Sequence, residues 1–488
     1  MANVLLVGPY STGGRSGQYP APPLGVHRLA SYLRAQGHPT RVADPVLDDL
    51  GQILAGSPCD VIGWSILHDS LEKSLKASET VKRIQPGATQ IAGGQGASFL
   101  AEELLKTDTI DIVALGPGEQ AMEQLSRTLS TTGIQGTVCK SDSGPKRTPR
   151  SPWTHDFFRK VSLNTDFFSI PYERYWELAR SFYSGPYLDV SRNRGFVRTI
   201  RLFTSSHCPM RCSFCSSWRF SQDSVTKGQP VLRLEPDEIL ELIKKAVTAH
   251  PGVEALYFID DDFMQDGPRV AELCRLMALP VPLNLMCMGR VDRENADLLE
   301  DMSRSGFRIV FYGVETFSDR MAVAIGKTRS TGYGERAMRA IRETVSCGIT
   351  PQISLMLFIP DSSEEDLLST ISGAVEAASL GGILLAFPYV EAYAGTSIGQ
   401  GHTILKEPFT AAGHEFVHPR LVLPASSALR RLAHEAIGKT DVLDMESWGP
   451  PPVPPTIHSL NLFRALYEVL GKPTGQIELT LQRIFRKN

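Results

Sequence analysis

Two stretches of the chain alternate short apolar runs with helix-like segments, and no other feature constrains the fold as strongly. In the first, NVLLVG, VIGWSIL, TQIAGG and DIVALG are separated by segments such as LGVHRLASYLRAQG and SLEKSLKASETVKRIQ. In the second, FVRTIRLFT, ALYFID, LNLMCM, RIVFYGVE, ITPQISLMLF and GILLAF are separated by segments such as EPDEILELIKKAVTAH and GYGERAMRAIRETVSCG. Strands that are apolar on both faces and joined by helices belong to parallel sheets covered on both sides. The expected class is α/β, with a Rossmann-like doubly wound domain over residues 1–140 and a partial (β/α)6 barrel of TIM type over 196–402. Between them, 141–195 reads as a linker, SDSGPKRTPRSPW, followed by an aromatic-rich packing segment, DFFSIPYERYWELARSFYSGPY. Residues 403–488 read as a small, mainly helical region on the substrate side: WGPPPVPPT cannot be helix, whereas HSLNLFRALYEVLG is one.

Composition narrows the function. The 488 residues suffice for about three domains with buried cores. Fifty basic against 53 acidic residues, net charge −3, form no run of like charge. Neither a nucleic-acid nor a membrane partner is expected, and the default is small-molecule chemistry. The longest apolar stretch, GGILLAFPYV, is too short to span a bilayer and is broken by Pro388. MANVLLVGPY has no basic segment before a cleavable apolar core, so it reads as a strand, and the cytoplasm is the expected location. Eight cysteines in so long a chain are too few and too scattered for a disulfide framework.

Three of them stand apart. In SSHCPMRCSFCSSW, Cys208, Cys212 and Cys215 follow the first strand of the second series, at the end where active-site loops of βα barrels gather. A cluster held by three thiolates leaves one iron open for chemistry. The alternative is a zinc knuckle completed by His207. Cys59, Cys139, Cys274, Cys287 and Cys347 lack such spacing and read as buried, inert thiols.

CPMRCSFC, with Phe214 before the third cysteine, resembles the cluster loop of radical S-adenosylmethionine (SAM) enzymes. The resemblance implies a 4Fe-4S cluster whose open iron is chelated by SAM. It also extends along the barrel. FYGVETFS is similar to the fourth-strand segment whose acidic residue, here Glu315, contacts the SAM ribose. FIDDDF occupies the place of the segment that binds the SAM amino group, with Asp260 and Asp261 as candidates beside a plain N-cap role. Arg290 in MGRVDRENADLL is the candidate for the SAM carboxylate beside an ordinary surface arginine, and in LMLFIPDSSEEDL Ser354 and Pro360 fall where the fifth-strand loop passes adenine.

YPAPPLGVHRLASYLRAQGHPTRVAD, DVIGWSILHDS, IAGGQGAS and LGPGEQAMEQL resemble the cobalamin-binding domain fused to one large radical SAM class. Glycines after strands, Gly93, Gly94, Gly96 and Gly116, would let the backbone approach a large flat ligand. Ser65 is a donor for the nucleotide tail, and Glu119 belongs to the same matched segments. The cobalt-ligating Asp-x-His-x-x-Gly of mutases and methionine synthases is missing; GPYSTGGRSGQ stands there instead. His68 falls in the loop facing the lower side of cobalt, beside the plainer reading of a loop histidine.

Together the two resemblances imply a cobalamin-dependent radical SAM methyltransferase. One SAM would methylate cobalamin; a second would give the deoxyadenosyl radical that abstracts hydrogen from an unactivated carbon, and the substrate radical would take the methyl group. A small-molecule or natural-product substrate and a flavodoxin- or ferredoxin-type electron donor are implied with it. The same cofactors could instead drive ring contraction, cyclisation or oxidation. A ligand sensor without turnover would need no open iron, and a radical SAM enzyme without cobalamin would leave the first domain a docking module. His414 and His418, four residues apart, would suit a zinc pair on a helix, but with no third ligand nearby they read as structural.

Overall fold

The computed structural model describes residues 1–10, 21–150, 152–182, 195–222, 230–277, 283–292, 296–438 and 455–487. Its framework is two sheets. The first contains β1 (Val4–Val7), β2 (Thr40–Ala43), β3 (Val61–Ser65), β4 (Thr89–Gly93), β5 (Ile112–Ala114), β6 (Thr137–Cys139) and β7 (Lys146–Arg147), in the order β2-β1-β3-β4-β5-β6-β7. β1 to β5 pair in parallel, and β6 and β7 close the edge antiparallel. The alternation of strand residues divides the apolar set between two cores: Leu5 and Val7 pack with Ile62, Trp64 and Ala92 on one face, Val4 and Leu6 with Val61, Ile91 and Ala114 on the other. Because β2 and β3 flank β1, the winding reverses at β1, and the crevice beyond the carboxyl ends of β1 and β3 is where such a sheet takes ligands.

The second sheet carries six consecutive parallel strands, β8 (Thr199–Leu202), β9 (Ala255–Phe258), β10 (Asn284–Gly289), β11 (Phe307–Glu315), β12 (Thr350–Phe358) and β13 (Ile383–Glu391). This is the expected partial barrel. Its outward-facing residues, among them Ile200, Leu256, Cys287, Val310, Ile353 and Leu384, are fully buried beneath the helices. The aromatic segment joins that core: Phe158, Phe167, Tyr172 and Trp176 pack into it, and the Trp176 indole donates to the Thr199 carbonyl at 3.2 Å. The Tyr175 hydroxyl donates to Asp44 across to the first domain.

Residues 403–488 are mainly helical among the described residues, but they do not begin so. They open with a hairpin, β14 (Ile404–Ala411) and β15 (His414–Val422), which pairs antiparallel with β13 and extends the barrel sheet to eight strands; the helices Ser427–Gly438, Pro455–Val469 and Gly475–Lys487 follow. Ala412 and Gly413 form the tip with φ of 50° and 72°. His414 and His418 therefore stand on one strand, their backbones separated by roughly 13 Å instead of one helical turn, which removes the helical zinc pair. The hairpin crosses to the first domain. Ala412 donates its N–H to Glu79 and accepts from the Asp108 N–H at 3.3 Å, His414 meets Glu103 at 3.3 Å, and Ala411 and Phe416 are buried in that domain's core. The stretch WGPPPVPPT lies almost wholly outside the described residues, as do residues 11–20 of the loop after β1. Among the described residues, no helix is long and apolar enough to cross a membrane.

Candidate active site

The cysteine loop leaves β8 and is held largely through its backbone. Ser206 N–H donates to the Leu232 carbonyl at 2.8 Å, Ser213 N–H to the Ile325 carbonyl at 2.9 Å, and the Ser397 N–H donates to Ser213 at 2.9 Å. Its root is Asp260, which is wholly buried. One carboxylate accepts the Thr204 N–H (2.8 Å), the Thr204 hydroxyl (2.9 Å) and the Ser205 hydroxyl (2.6 Å), while Arg269 donates to the Thr204 hydroxyl at 2.7 Å. Asp260 is thus turned into the protein, which corrects its assignment to SAM. Its neighbour on the strand end faces the other way. Asp261 lines the cavity described below, accepts from the Cys208 N–H and the Ser217 hydroxyl, and has its pKa pushed up to about 6 by burial and the charge of Asp260.

Cys212 is buried in the loop wall, while Cys208 and Cys215 are partly buried; all three are free thiols. Burial raises the Cys208 thiol to about 12, so a metal must displace its proton on binding. His207 is no fourth ligand beside them: its Nδ1 pairs with the Ser206 hydroxyl at 2.8 Å and the ring lines the cavity. Among the described residues, no group of three His, Cys, Asp or Glu side chains converges on a single-ion site. Three free thiols on one loop are the donor set of a cubane with one open iron. Phe214 anchors the loop by packing against the Met321, Ile325 and Met356 cluster.

Behind the loop, Arg290 lies with Nη1 4.0 Å from Cys212 Sγ, and its fork is held by Asp292 at 2.9 Å twice and by the Lys327 carbonyl at 2.5 Å. The expected free fork is thereby engaged. Glu315 ends β11 with φ of 70°, a left-handed conformation that costs a non-glycine residue roughly 1–3 kcal/mol. Its carboxylate lies 3.5 Å from Lys327 Nζ and accepts from the Ser354 hydroxyl; burial raises its pKa against the opposing pull of Lys327. The carboxylate folds back over Gly313, where an added Cβ would stand 2.6 Å from Glu315 Oε1. Glu315 and Ser354, which the sequence singles out, lie together with Lys327, and Arg290 with Asp292; the sequence does not mark Lys327 and Asp292, whose meaning depends on being buried beside the others. Pro360 serves the fold here, its carbonyl accepting the Ala425 N–H at 2.7 Å.

A cavity of about 500 Å³ lies between the two sheets. Val7, Ser65, Gly93 and Ala114, at the carboxyl ends of four parallel strands of the first sheet, form one side with Gly94, Gly116 and Glu119. Ser206, His207, Ser217 and Asp261 of the barrel form the other. Gln95 ties the sides, donating to Ser217 and accepting from the Ser216 hydroxyl at 3.4 Å each. The glycines need a correction. At Gly94, with φ of 93°, an added Cβ would stand 2.7 Å from the Ile66 carbonyl oxygen, and at Gly96 2.8 Å from Leu67; the closeness required there is to the chain's own loop. His68 does not line the cavity. It stacks on Tyr393 at 4.8 Å and on Phe99 at 6.2 Å.

Residues 202–372 match the radical SAM superfamily, and residues 11–126 match the B12 binding domain. The chain thus carries a radical SAM domain and a B12-binding domain. Its cofactors are accordingly a 4Fe-4S cluster, SAM and cobalamin. The chain is 26% identical over 88% of its length to the hopanoid C-3 methylase of Methylococcus capsulatus, covering 77% of that protein. To the anaerobic magnesium-protoporphyrin IX monomethyl ester cyclase of Rubrivivax gelatinosus it is 22% identical, covering 75% of this chain and 64% of that one. The fold is similar to the radical SAM methyltransferase TsrM of Kitasatospora setae, solved with cobalamin and a [4Fe-4S] cluster: TM-score 0.64, 15% identity, 83% of this chain and 77% of that one.

Proposed function

We propose that this radical SAM protein is a methyltransferase that adds a methyl group to an unactivated carbon of a small-molecule substrate. One observation carries the reading: the carboxyl edge of the B12-binding sheet and the flank of the cysteine loop wall the same cavity. Bound together, the cluster with SAM supplies hydrogen-atom abstraction, and cobalamin supplies a methyl group that a carbon radical can accept. The protein's part is to hold the reacting atoms within about 3–3.5 Å of one another and to keep water out.

Cys208, Cys212 and Cys215 hold the cluster. Glu315 and Ser354 take the ribose hydroxyls, and Arg290, kept in place by Asp292, offers its remaining N–H groups to the SAM carboxylate. Ser65, Gly93, Gly94, Gly116 and Glu119 would receive the corrinoid, and Asp261 lines the same cavity while accepting from the Cys208 N–H. His68, held between aromatic rings, stays out of the cobalt coordination. A flavodoxin or ferredoxin fits the requirement for single electrons, and a reducing cytoplasm suits thiols that must stay free. Natural-product biosynthesis accords with the carbon centres such chemistry reaches.

Glu315→Gln is expected to weaken SAM binding by about ten- to a hundredfold, the worth of a charge-assisted hydrogen bond of roughly 1.5–3 kcal/mol, with iron content unchanged. Calorimetric titration of a SAM analogue measures this, and an unaltered dissociation constant would move the ribose contact elsewhere.

The likeness to a cyclase keeps one alternative in view, the same cofactors without methyl transfer. Turnover with SAM bearing a deuterated methyl group decides between them. Methyl transfer should place the label in the product and consume two SAM for each methylation, giving one S-adenosylhomocysteine and one deoxyadenosine. Unlabelled product at one deoxyadenosine per turnover would establish the alternative.

A further inference from the structure

The cavity wall contains an ion pair whose hydrogen-bonding capacity is only half used. Arg28, on the helix Leu24–Ala35 after β1, and Glu119, first residue of the helix Glu119–Thr128 after β5, meet at 3.4 Å between Nη2 and Oε1, with side-chain exposures of 13% and 5%. The guanidinium is held over the rings of Trp153 and Phe203, 5.8 and 5.4 Å from their centroids. Among the described residues, Arg28 Nε and Glu119 Oε2 are buried without a hydrogen-bond partner, and both residues line the cavity. Buried polar atoms are nearly always satisfied by protein, water or ligand, so two such atoms on one pair at a cavity wall mark a place for a partner. The pair is neutral overall, and its buried unpaired atoms are one donor, Arg28 Nε, and one acceptor, Glu119 Oε2. A carboxylate or phosphate could use the donor but would be repelled by the glutamate; an ammonium could use the acceptor but would be repelled by the arginine. Hydroxyls and water offer both from one atom, whereas a primary carboxamide presents an acceptor and a donor side by side on two atoms, as the Nε and Oε2 pair does.

We propose that Arg28 and Glu119 read a peripheral carboxamide of the corrin ring, Arg28 Nε donating to its oxygen and Glu119 Oε2 accepting from its NH2. This rests on the cobalamin reading of the cavity and adds the group recognised and the residues that recognise it. A carboxamide on the substrate has the same chemistry, and the experiment separates the two sources.

The double variant R28M/E119M removes both charges at similar volume, which leaves no buried charge unpaired. In titrations followed by visible absorption, its affinity for cobalamin and for cobinamide, which lacks the nucleotide tail, should fall at least about tenfold, with iron content and SAM-analogue binding unchanged. Should that variant fail to fold, Glu119→Gln serves. Arg28 holds the glutamine oxygen, so its NH2 points at the ligand NH2, and the same corrinoid loss is expected, with recovery toward a corrinoid whose amides are hydrolysed to carboxylates. Unchanged affinity for both corrinoids in a folded variant would overturn the proposal and, where turnover falls, move the pair to a substrate carboxamide. A loss with cobalamin but none with cobinamide would overturn it as well, since the pair would then read the tail. Wild-type protein that takes up no corrinoid would instead sink the cobalamin reading beneath it.

Discussion

Replacing Cys208, Cys212 and Cys215 together by alanine should strip the protein of iron and abolish SAM cleavage, while leaving it folded and able to bind cobalamin. The loop is positioned by backbone hydrogen bonds from Ser206 and Ser213 and by the packing of Phe214, none of which involves a thiol, and two of the three cysteines are only partly buried. Truncating them therefore removes little from the core. The corrinoid side of the cavity, built from Ser65, Gly93, Gly116 and Glu119, has no covalent stake in the loop. Iron and sulfide analysis, deoxyadenosine formation under reducing conditions and the visible spectrum after cobalamin loading are the three measurements. Full iron content in the triple variant would refute the assignment.

The second large effect is expected at Asp260. Asp260→Ala deletes the acceptor of three hydrogen bonds and leaves Arg269, which is 8% exposed, as a buried charge facing unsatisfied Thr204 and Ser205. Leaving buried donors without their acceptor costs about 1–3 kcal/mol for each group, and the loss falls at the root of the cysteine loop. The variant should unfold at lower denaturant and hold less cluster than the wild type. Asp261→Ala, one residue on, should retain nearly full stability and change cofactor affinity instead. Equal stability losses in the two variants, measured by urea unfolding, would contradict the opposite orientations of the two side chains.

That contrast shows where reading the sequence stops. FIDDDF marks a strand end with carboxylates, but their roles differ because the pleat turns one inward to Thr204 and the other outward to the cavity, and no local pattern records which. The cysteines were legible because all three lie on one loop, and their spacing is local. The six barrel strands were legible too, being apolar runs buried on both faces. β2, β6 and β7 were missed as two- to four-residue pieces with polar members. The hairpin was missed because its tip, Ala412–Gly413, is not a strong turn dipeptide and its strands carry Lys406, Glu407 and Glu415 among the apolar residues. Arg28 and Glu119 lie 91 positions apart and meet only once β1 and β5 are in one sheet.

The same hairpin bears on modularity. Phe416 and Ala411, which come from the far end of the chain, complete the hydrophobic interior of the first domain, and the Ala412 backbone is bound to Glu79 and Asp108. The corrinoid-binding portion is therefore not a self-contained cassette. A fragment cut at residue 140 would present an empty apolar seat to water, and grafting the domain onto another barrel would require that the recipient bring a hairpin shaped to fill it. Exchange of such a domain between proteins would have to carry along a second, distant segment of the gene.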